Sequence, residues 1–292
     1  MSSDHNEQTT IRTDTDDLNI EILVPSIGAI IHDIDLSEAV NKPNIVEQIE
    51  RALIKHQVIF FRNQHLTPQQ HRDFAQLFGS LHTHPFYSHV PGTPELMLLE
   101  YDFDRKPGND SWHTDITFTE TPALGCILYA RELPSTGGDT LWSNMYLAYD
   151  SLSSPMQEFL SKLSAEHSYA KNFNLTNVHG PDAQEKLDKA KKDYPPVIHP
   201  VIRTHPITKR KLLFVNTTFT TRIIGLNDIE SHILLDYLFS LVNKPEYTVR
   251  WHWKENDVAF WDNRSTQHYA IGDYWPNRRQ MHRATIIGER PV

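Results

Sequence analysis

Two short stretches, far apart in the chain, hold the makings of one metal site. Ser111-Trp112-His113-Thr114-Asp115 supplies an imidazole and a carboxylate, and Thr266-Gln267-His268-Tyr269 supplies a second imidazole. In an extended strand alternate side chains share a face, so a strand over His113–Thr117 would aim His113 and Asp115 at one point. Trp112 and Ile116 alternate with His113, Asp115 and Thr117, giving that strand one apolar and one polar face. Polar side chains on an inward face are costly unless paired or metal-bound. His268 follows the apolar run Val258-Ala259-Phe260-Trp261 and the turn-like Asp262-Asn263-Arg264, and completes the set. Two imidazoles and a carboxylate leave coordination positions open, which suits a non-haem Fe(II) that must also take substrate and O2. The same ligands can hold zinc in a hydrolase. A competing centre would use His82, His84 and His89, since His-x-His also has ligand spacing, whereas His32, His65, His71 and His232 read as exposed.

The segment Arg279-Gln280-Met281-His282-Arg283-Ala284-Thr285-Ile286-Ile287 reads as a strand. By its period, Arg279, Met281, Arg283 and Thr285 share one face and His282 points the other way. Guanidinium groups on an inward face require buried anions. A guanidinium matches a carboxylate through parallel hydrogen bonds that lysine cannot reproduce. The pair therefore predicts separate anions, one a carboxylate and one a substrate acid group.

The elements that would position these residues are mostly short strands. Apolar spacing predicts a helix over Asn44–His56, followed by a buried strand at Val58–Phe61. Thr67-Pro68-Gln69-Gln70 has an N-cap residue and a first-turn proline, and opens a helix running to Phe78. Strands are expected near Leu96–Tyr101, Cys126–Arg131, Thr140–Trp142, Tyr247–Trp253 and Val258–Trp261, with helices at Met145–Leu152, Pro155–Leu163 and Asp228–Val242. Residues 171–200 form a long irregular insert with one charged helix-like piece, a length that in a compact domain points to a lid. Many short strands with a few helices predict a mostly β (α+β) sandwich or jelly roll with helical decoration. No composition break divides the chain, so residues 19–292 are expected to form a single domain behind a disordered polar tail at 1–18.

Bulk properties narrow the function. A formal net charge of −9 offers no basic face for nucleic acid. The lone cysteine, Cys126, excludes an internal disulfide and lies in an apolar run as a buried thiol. No stretch approaches the roughly 20 apolar residues of a membrane span, and the polar N-terminus has no signal-peptide core. A cytoplasmic protein is expected.

With these motifs in place, the chain resembles the taurine/2-oxoglutarate dioxygenase family, from about Pro25 to Pro291. Leu133-Pro134-Ser135-Thr136-Gly137-Gly138-Asp139-Thr140-Leu141-Trp142, Trp261-Asp262-Asn263-Arg264 and Met281-His282-Arg283-Ala284-Thr285 carry the resemblance beside the two ligand stretches. It implies a double-stranded β-helix with Fe(II) on His113, Asp115 and His268, and 2-oxoglutarate and O2 as co-substrates. It further implies that Thr140 and Arg279 hold the distal carboxylate of 2-oxoglutarate. A sulfonate would lie against His84 and Arg283, with Tyr87, Asn109, Phe173 and Phe219 around the rest of the substrate. On this resemblance taurine is the expected substrate, giving sulfite and aminoacetaldehyde, and another alkylsulfonate or an alkylsulfate ester is the alternative. Asn172 departs from the serine expected beside Phe173. A homo-oligomer (dimer or tetramer) is a further implication.

Overall fold

The computed structural model describes residues 18–84, 87–108, 110–171 and 183–292. The first half comprises β1 (Asn19–Val24), β2 (Ile27–His32), α1 (Leu36–Ala39), α2 (Pro43–His56), β3 (Val58–Phe61), α3 (Pro68–Gln76), β4 (His89–Val90) and β5 (Thr93–Tyr101). The middle adds β6 (Ala123–Glu132), β7 (Thr140–Asn144), α4 (Met145–Asp150), α5 (Ser154–Leu160), β8 (Ser164–His167), α6 (Ala183–Asp193), β9 (Val197–Pro200) and β10 (Ile202–Thr204). The chain closes with β11 (Lys211–Leu213), β12 (Thr220–Ile223), α7 (Asp228–Ser240), β13 (Thr248–Trp251), β14 (Val258–Asp262), β15 (Thr266–Ala270) and β16 (Arg279–Ile287).

An eight-stranded sheet in the order β1-β2-β3-β14-β6-β16-β5-β4 faces a three-stranded sheet, β13-β7-β15. The layer between them is the inner core, built from Phe60, Leu128, Trp142, Trp251, Trp253, Trp261 and Met281 among others. Phe60 stacks on Trp251 with ring centroids 4.0 Å apart and meets Trp142 edge-on at 5.3 Å. Burying each such side chain contributes roughly 1.5–3 kcal/mol. The alternate residues of β3, β6, β14 and β16 (Ile59, Phe61, Ile127, Tyr129, Phe260, Ala284, Ile286) face a second core against α2 and α3. Sheets β12-β8-β9 and β10-β11, with α4, α5 and α7, pack a third cluster at the side. This is the expected jelly roll with helical decoration.

Local signals account for several elements. Thr67 Oγ1 accepts from Gln70 N at 3.2 Å while Gln70 Oε1 accepts from Thr67 N at 2.9 Å, a reciprocal cap that fixes the start of α3. His71, expected to be exposed, is fully buried on this helix, its ring lying 5.9 Å from Tyr129 with Nε2 3.3 Å from the carbonyl of Ile127. The helix lays that face on the large sheet, a tertiary choice its own short pattern does not announce. Leu18, placed in the tail, donates its N–H to Gln48 Oε1 at 3.1 Å and packs on the outer core. Residues 1–17 lie outside the described residues. Of the irregular insert, residues 183–193 form α6 and residues 197–200 form β9 paired to β8, while 172–182 lie outside the described residues.

Candidate metal and co-substrate site

The segment bearing two of the three expected ligands is a turn, not the expected strand. Only His113 pairs, in an isolated antiparallel bridge with His268: His113 N donates to His268 O at 3.1 Å, and His268 N to His113 O at 2.8 Å. The chain then turns through Ile116 at φ +47°, a left-handed conformation that is costly for a β-branched residue. The carbonyl of Ile116 is held by Thr119, from N at 3.1 Å and from Oγ1 at 2.9 Å. Asp115 is docked by the side-chain amide of Asn263, which accepts from Asp115 N at 2.9 Å and donates to Asp115 O at 3.1 Å. The same amide donates to Ala123 O at 3.1 Å, so Asn263 takes the place of a partner strand. Thr114 Oγ1 donates to Thr266 O at 2.9 Å. His113 and Asp115 converge because this segment is tied residue by residue to the β14–β15 hairpin, and the alternation of a strand has no part in it.

A second polar network braces the turn from behind. Asn216 Nδ2 donates to Thr117 Oγ1 at 3.1 Å, and that hydroxyl lies 3.0 Å from His167 Nδ1. His199 Nε2 donates to the carbonyls of Thr117 at 2.9 Å and Thr119 at 3.0 Å. Asn216 Oδ1 also accepts from Phe219 N at 2.9 Å, which links the ligand turn to the segment carrying Phe219.

The ligand atoms of His113, Asp115 and His268 all lie within 4.8 Å of one another, the one such group among the described residues, so His82, His84 and His89 do not make a second centre. His113 Nε2 is 3.7 Å from Asp115 Oδ1 and His268 Nε2 is 3.7 Å from Asp115 Oδ2. His113 Nδ1 donates to Ser111 O at 2.8 Å, which leaves the Nε2 lone pair aimed at the centre. Burial lowers the pKa of both imidazoles, so they stay neutral and able to ligate. Burial pushes the Asp115 carboxyl up, but its neighbours, the Arg283 guanidinium foremost, outweigh it and hold it well below the usual carboxylate range. Neutral nitrogens converging on an ionised oxygen form a donor set that fits a divalent metal. Cys126, read as an inert buried thiol, is buried and also close to this centre: Sγ lies 3.2 Å from Asp115 Oδ2 and 3.7 Å from Thr285 Oγ1. Burial and then Asp115 push its pKa well up, so the thiol keeps its proton and donates to the carboxylate.

The two arginines emerge on the expected face of β16. Arg283 Nη1 donates to Asp115 Oδ1 at 2.9 Å, and its Nε is buried without a protein partner among the described residues. Arg279 is 4% exposed, and its Nε and Nη2 are buried without a partner among the described residues. A buried guanidinium with unused N–H groups is a built site for an anion. Gly137 (φ +78°) and Gly138 (φ +74°) shape the wall beside it; a Cβ on Gly138 would stand 3.2 Å from Arg279 Nε. Thr140, 2% exposed, faces the same inner layer. His282 turns to the opposite side, and burial then Arg131 lower its pKa to about 4.

His84 is buried, with its ring 4.7 Å from that of Tyr87. Burial and then Arg283 lower its pKa to about 3, so it faces any ligand as a neutral donor. Tyr87 packs against the inner core, and Phe219 lies 5.1 Å from Phe118, which lies 4.7 Å from Tyr169. Asn109, Asn172 and Phe173 lie outside the described residues. Sequence reasoning missed the roles of Asn263, Thr117 and Cys126: Asn263 sits among polar turn residues, Thr117 follows the ligand segment and Cys126 lies in an apolar run, and no local pattern announces their contacts.

Comparison with known proteins agrees with this geometry. An alkylsulfatase of Acinetobacter baylyi is 38% identical over 289 residues, covering 96% of this chain and 88% of the relative. An alpha-ketoglutarate-dependent sulfate ester dioxygenase of Pseudomonas putida is 38% identical over 281 residues, covering 94% of this chain and 91% of the relative. The crystal structure of a putative alpha-ketoglutarate-dependent taurine dioxygenase from Burkholderia xenovorans superposes with a TM-score of 0.81 at 34% identity, covering 94% of both chains. The family model for the taurine catabolism dioxygenase TauD, TfdA family, matches residues 19–285, and the chain belongs to this family of Fe(II)- and 2-oxoglutarate-dependent dioxygenases.

Proposed function

We propose that the protein oxidises small organosulfur monoanions at the carbon bearing the sulfur group, with alkyl sulfate esters favoured over taurine. The observation that carries the reading is Arg283, a buried guanidinium 2.9 Å from the metal-ligating carboxylate, where it can hold a permanent anion beside the reacting carbon. His113, Asp115 and His268 would hold Fe(II), which with O2 and 2-oxoglutarate supplies the oxidising power, the co-substrate leaving as succinate and CO2. Arg279 and Thr140 bind the distal carboxylate of 2-oxoglutarate, and the guanidinium supplies the charge.

Arg283 and neutral His84 take the sulfate or sulfonate oxygens. A sulfate monoester is ionised at every cellular pH, so a cation that never deprotonates is its appropriate partner. Holding both anions fixes the substrate carbon relative to the metal, and that orientation is the protein's own contribution. A hydroxyl placed on the carbon of a sulfate ester gives R–CH(OH)–OSO3−, which collapses to RCHO and HSO4−. A sulfonate gives RCHO and HSO3− in the same way.

The aromatic cluster of Phe219, Phe118 and Tyr169 supports an alkyl chain as the remainder of the substrate, because it offers that chain apolar area. The names of the Acinetobacter and Pseudomonas relatives agree with that choice. Taurine is the second reading, supported by the likeness to the Burkholderia structure. The test compares kcat/KM for sulfate release from hexyl sulfate with that for sulfite release from taurine. Hexyl sulfate is expected to be preferred at least about tenfold, the worth of one or two buried methylenes. A preference for taurine would overturn the ester reading.

A further inference from the structure

The hydroxyl of Thr140 is held by a group that can only donate. Trp253 Nε1 lies 3.0 Å from Thr140 Oγ1, and an indole N–H has no acceptor capacity. The bond occupies a lone pair of the hydroxyl and leaves Thr140's own hydrogen unused; among the described residues no other side chain bonds to Oγ1.

Thr140 and Trp142 share one face of β7, and Trp142 lies in the inner core. Arg279 and Met281 share one face of β16, and Met281 lies in that same core. The hydroxyl and the guanidinium thus approach one layer from opposing sheets. Trp253 itself is 6% exposed, with its ring 6.3 Å from Trp142, so packing sets the direction of its N–H.

We infer that Trp253 is a positioning residue for 2-oxoglutarate: by donating to Thr140 it makes that hydroxyl a donor committed to the distal carboxylate awaited by Arg279. An unconstrained threonine hydroxyl rotates and can present a lone pair, which repels a carboxylate; one already accepting from Trp253 presents its hydrogen. The inference rests on the reading that Thr140 and Arg279 hold 2-oxoglutarate.

The experiment measures 2-oxoglutarate binding to the Zn(II)-loaded protein by titration calorimetry, with no turnover involved. Wild type, Thr140→Val, Trp253→Phe and the double variant are compared. Thr140→Val and Trp253→Phe should each weaken binding about tenfold, the usual worth of a hydrogen bond to a charged group. The double variant should bind no more weakly than Thr140→Val alone, because Trp253 acts only through the hydroxyl.

Wild-type affinity in Thr140→Val would overturn the assignment of 2-oxoglutarate to this residue, and the inference with it. Weakening by Thr140→Val alongside wild-type affinity in Trp253→Phe would overturn the role of Trp253 while sparing that assignment. So would a Trp253→Phe effect that persists in full without the hydroxyl, since that marks a general packing role. Should Trp253→Phe not fold, the indole N–H resonance of Trp253 in the Zn(II) protein gives the answer. A hydroxyl donating to a carboxylate becomes a better acceptor, so 2-oxoglutarate should move that resonance downfield in wild type and leave it unmoved in Thr140→Val. No movement in wild type would refute the inference.

Discussion

Arg279 and Arg283 lie on one strand face but answer to different neighbours. Arg283 is already engaged with Asp115, whereas Arg279 has buried N–H groups without a partner among the described residues. Arg283→Ala should therefore raise KM for an organosulfate at least about 30-fold, the cost of losing a buried charged hydrogen bond, and change KM for 2-oxoglutarate far less. Arg279→Ala should do the reverse. Steady-state kinetics with each substrate varied in turn checks both, and equal effects on both KM values would refute the division. Asn263 offers a second test at this scale. Its amide holds the N–H and the carbonyl of Asp115, so Asn263→Leu leaves three backbone groups without their partner at roughly 1–3 kcal/mol each. Fe(II) affinity measured by anaerobic dialysis should fall at least about tenfold in this variant, together with its urea midpoint. Wild-type iron binding in a folded Asn263→Leu protein would show that Asp115 needs no such clamp.

At the scale of elements, the strand β16 and the cap of α3 were legible in the sequence because their signals are local. Period-2 alternation places Arg279 and Arg283 together, and Thr67 caps a helix whose first turn is printed beside it. The strand expected over His113–Thr117 failed for a physical reason. Alternating polar and apolar residues also arise in a turn whose side chains are divided between a metal site and a core, as Ile116 and Asp115 are here. What fixes that turn is contact with Asn263, Thr266, Asn216 and His199, all far away in sequence. The turn before β7 gives a prediction of its own. Gly138 has φ +74°, and a methyl there would press on Arg279 at 3.2 Å. Gly138→Ala should cost about 1–2 kcal/mol of stability from the backbone alone. It should also raise KM for 2-oxoglutarate while leaving KM for the organosulfate unchanged, and an unchanged 2-oxoglutarate KM would separate this loop from the co-substrate pocket.

At the scale of the whole molecule, the two-sheet architecture and the convergence of His113, Asp115 and His268 could both be read from sequence, while the buried histidines could not. Burial and then His282 lower the pKa of His71 to about 3, and burial lowers that of His199 to about 4 against its bonds to Thr119 and Thr117. With His282 at about 4, these imidazoles are neutral in the folded protein. In the unfolded chain each takes up a proton near pH 6.5. The unfolded state therefore binds more protons below pH 6.5, and stability falls as pH drops from there toward about 4. At pH 5 the loss is on the order of 2 kcal/mol for His71 and for His199, and less for His282, whose ring is less deeply buried and more screened by solvent. Urea unfolding at pH 7 and pH 5 measures it: the midpoint should fall markedly at the lower pH, and an unchanged midpoint would contradict the burial of these rings.

The central claim is that one site couples oxidation of 2-oxoglutarate to release of a sulfur oxyanion. The decisive measurement is succinate and sulfate formed side by side from hexyl sulfate by the Fe(II)-loaded protein in air, with and without 2-oxoglutarate. Sulfate should appear in step with succinate and vanish when 2-oxoglutarate is withheld. Sulfate released without 2-oxoglutarate would mark a hydrolase, and succinate formed with no sulfur oxyanion from hexyl sulfate or taurine would place the substrate outside the organosulfur class.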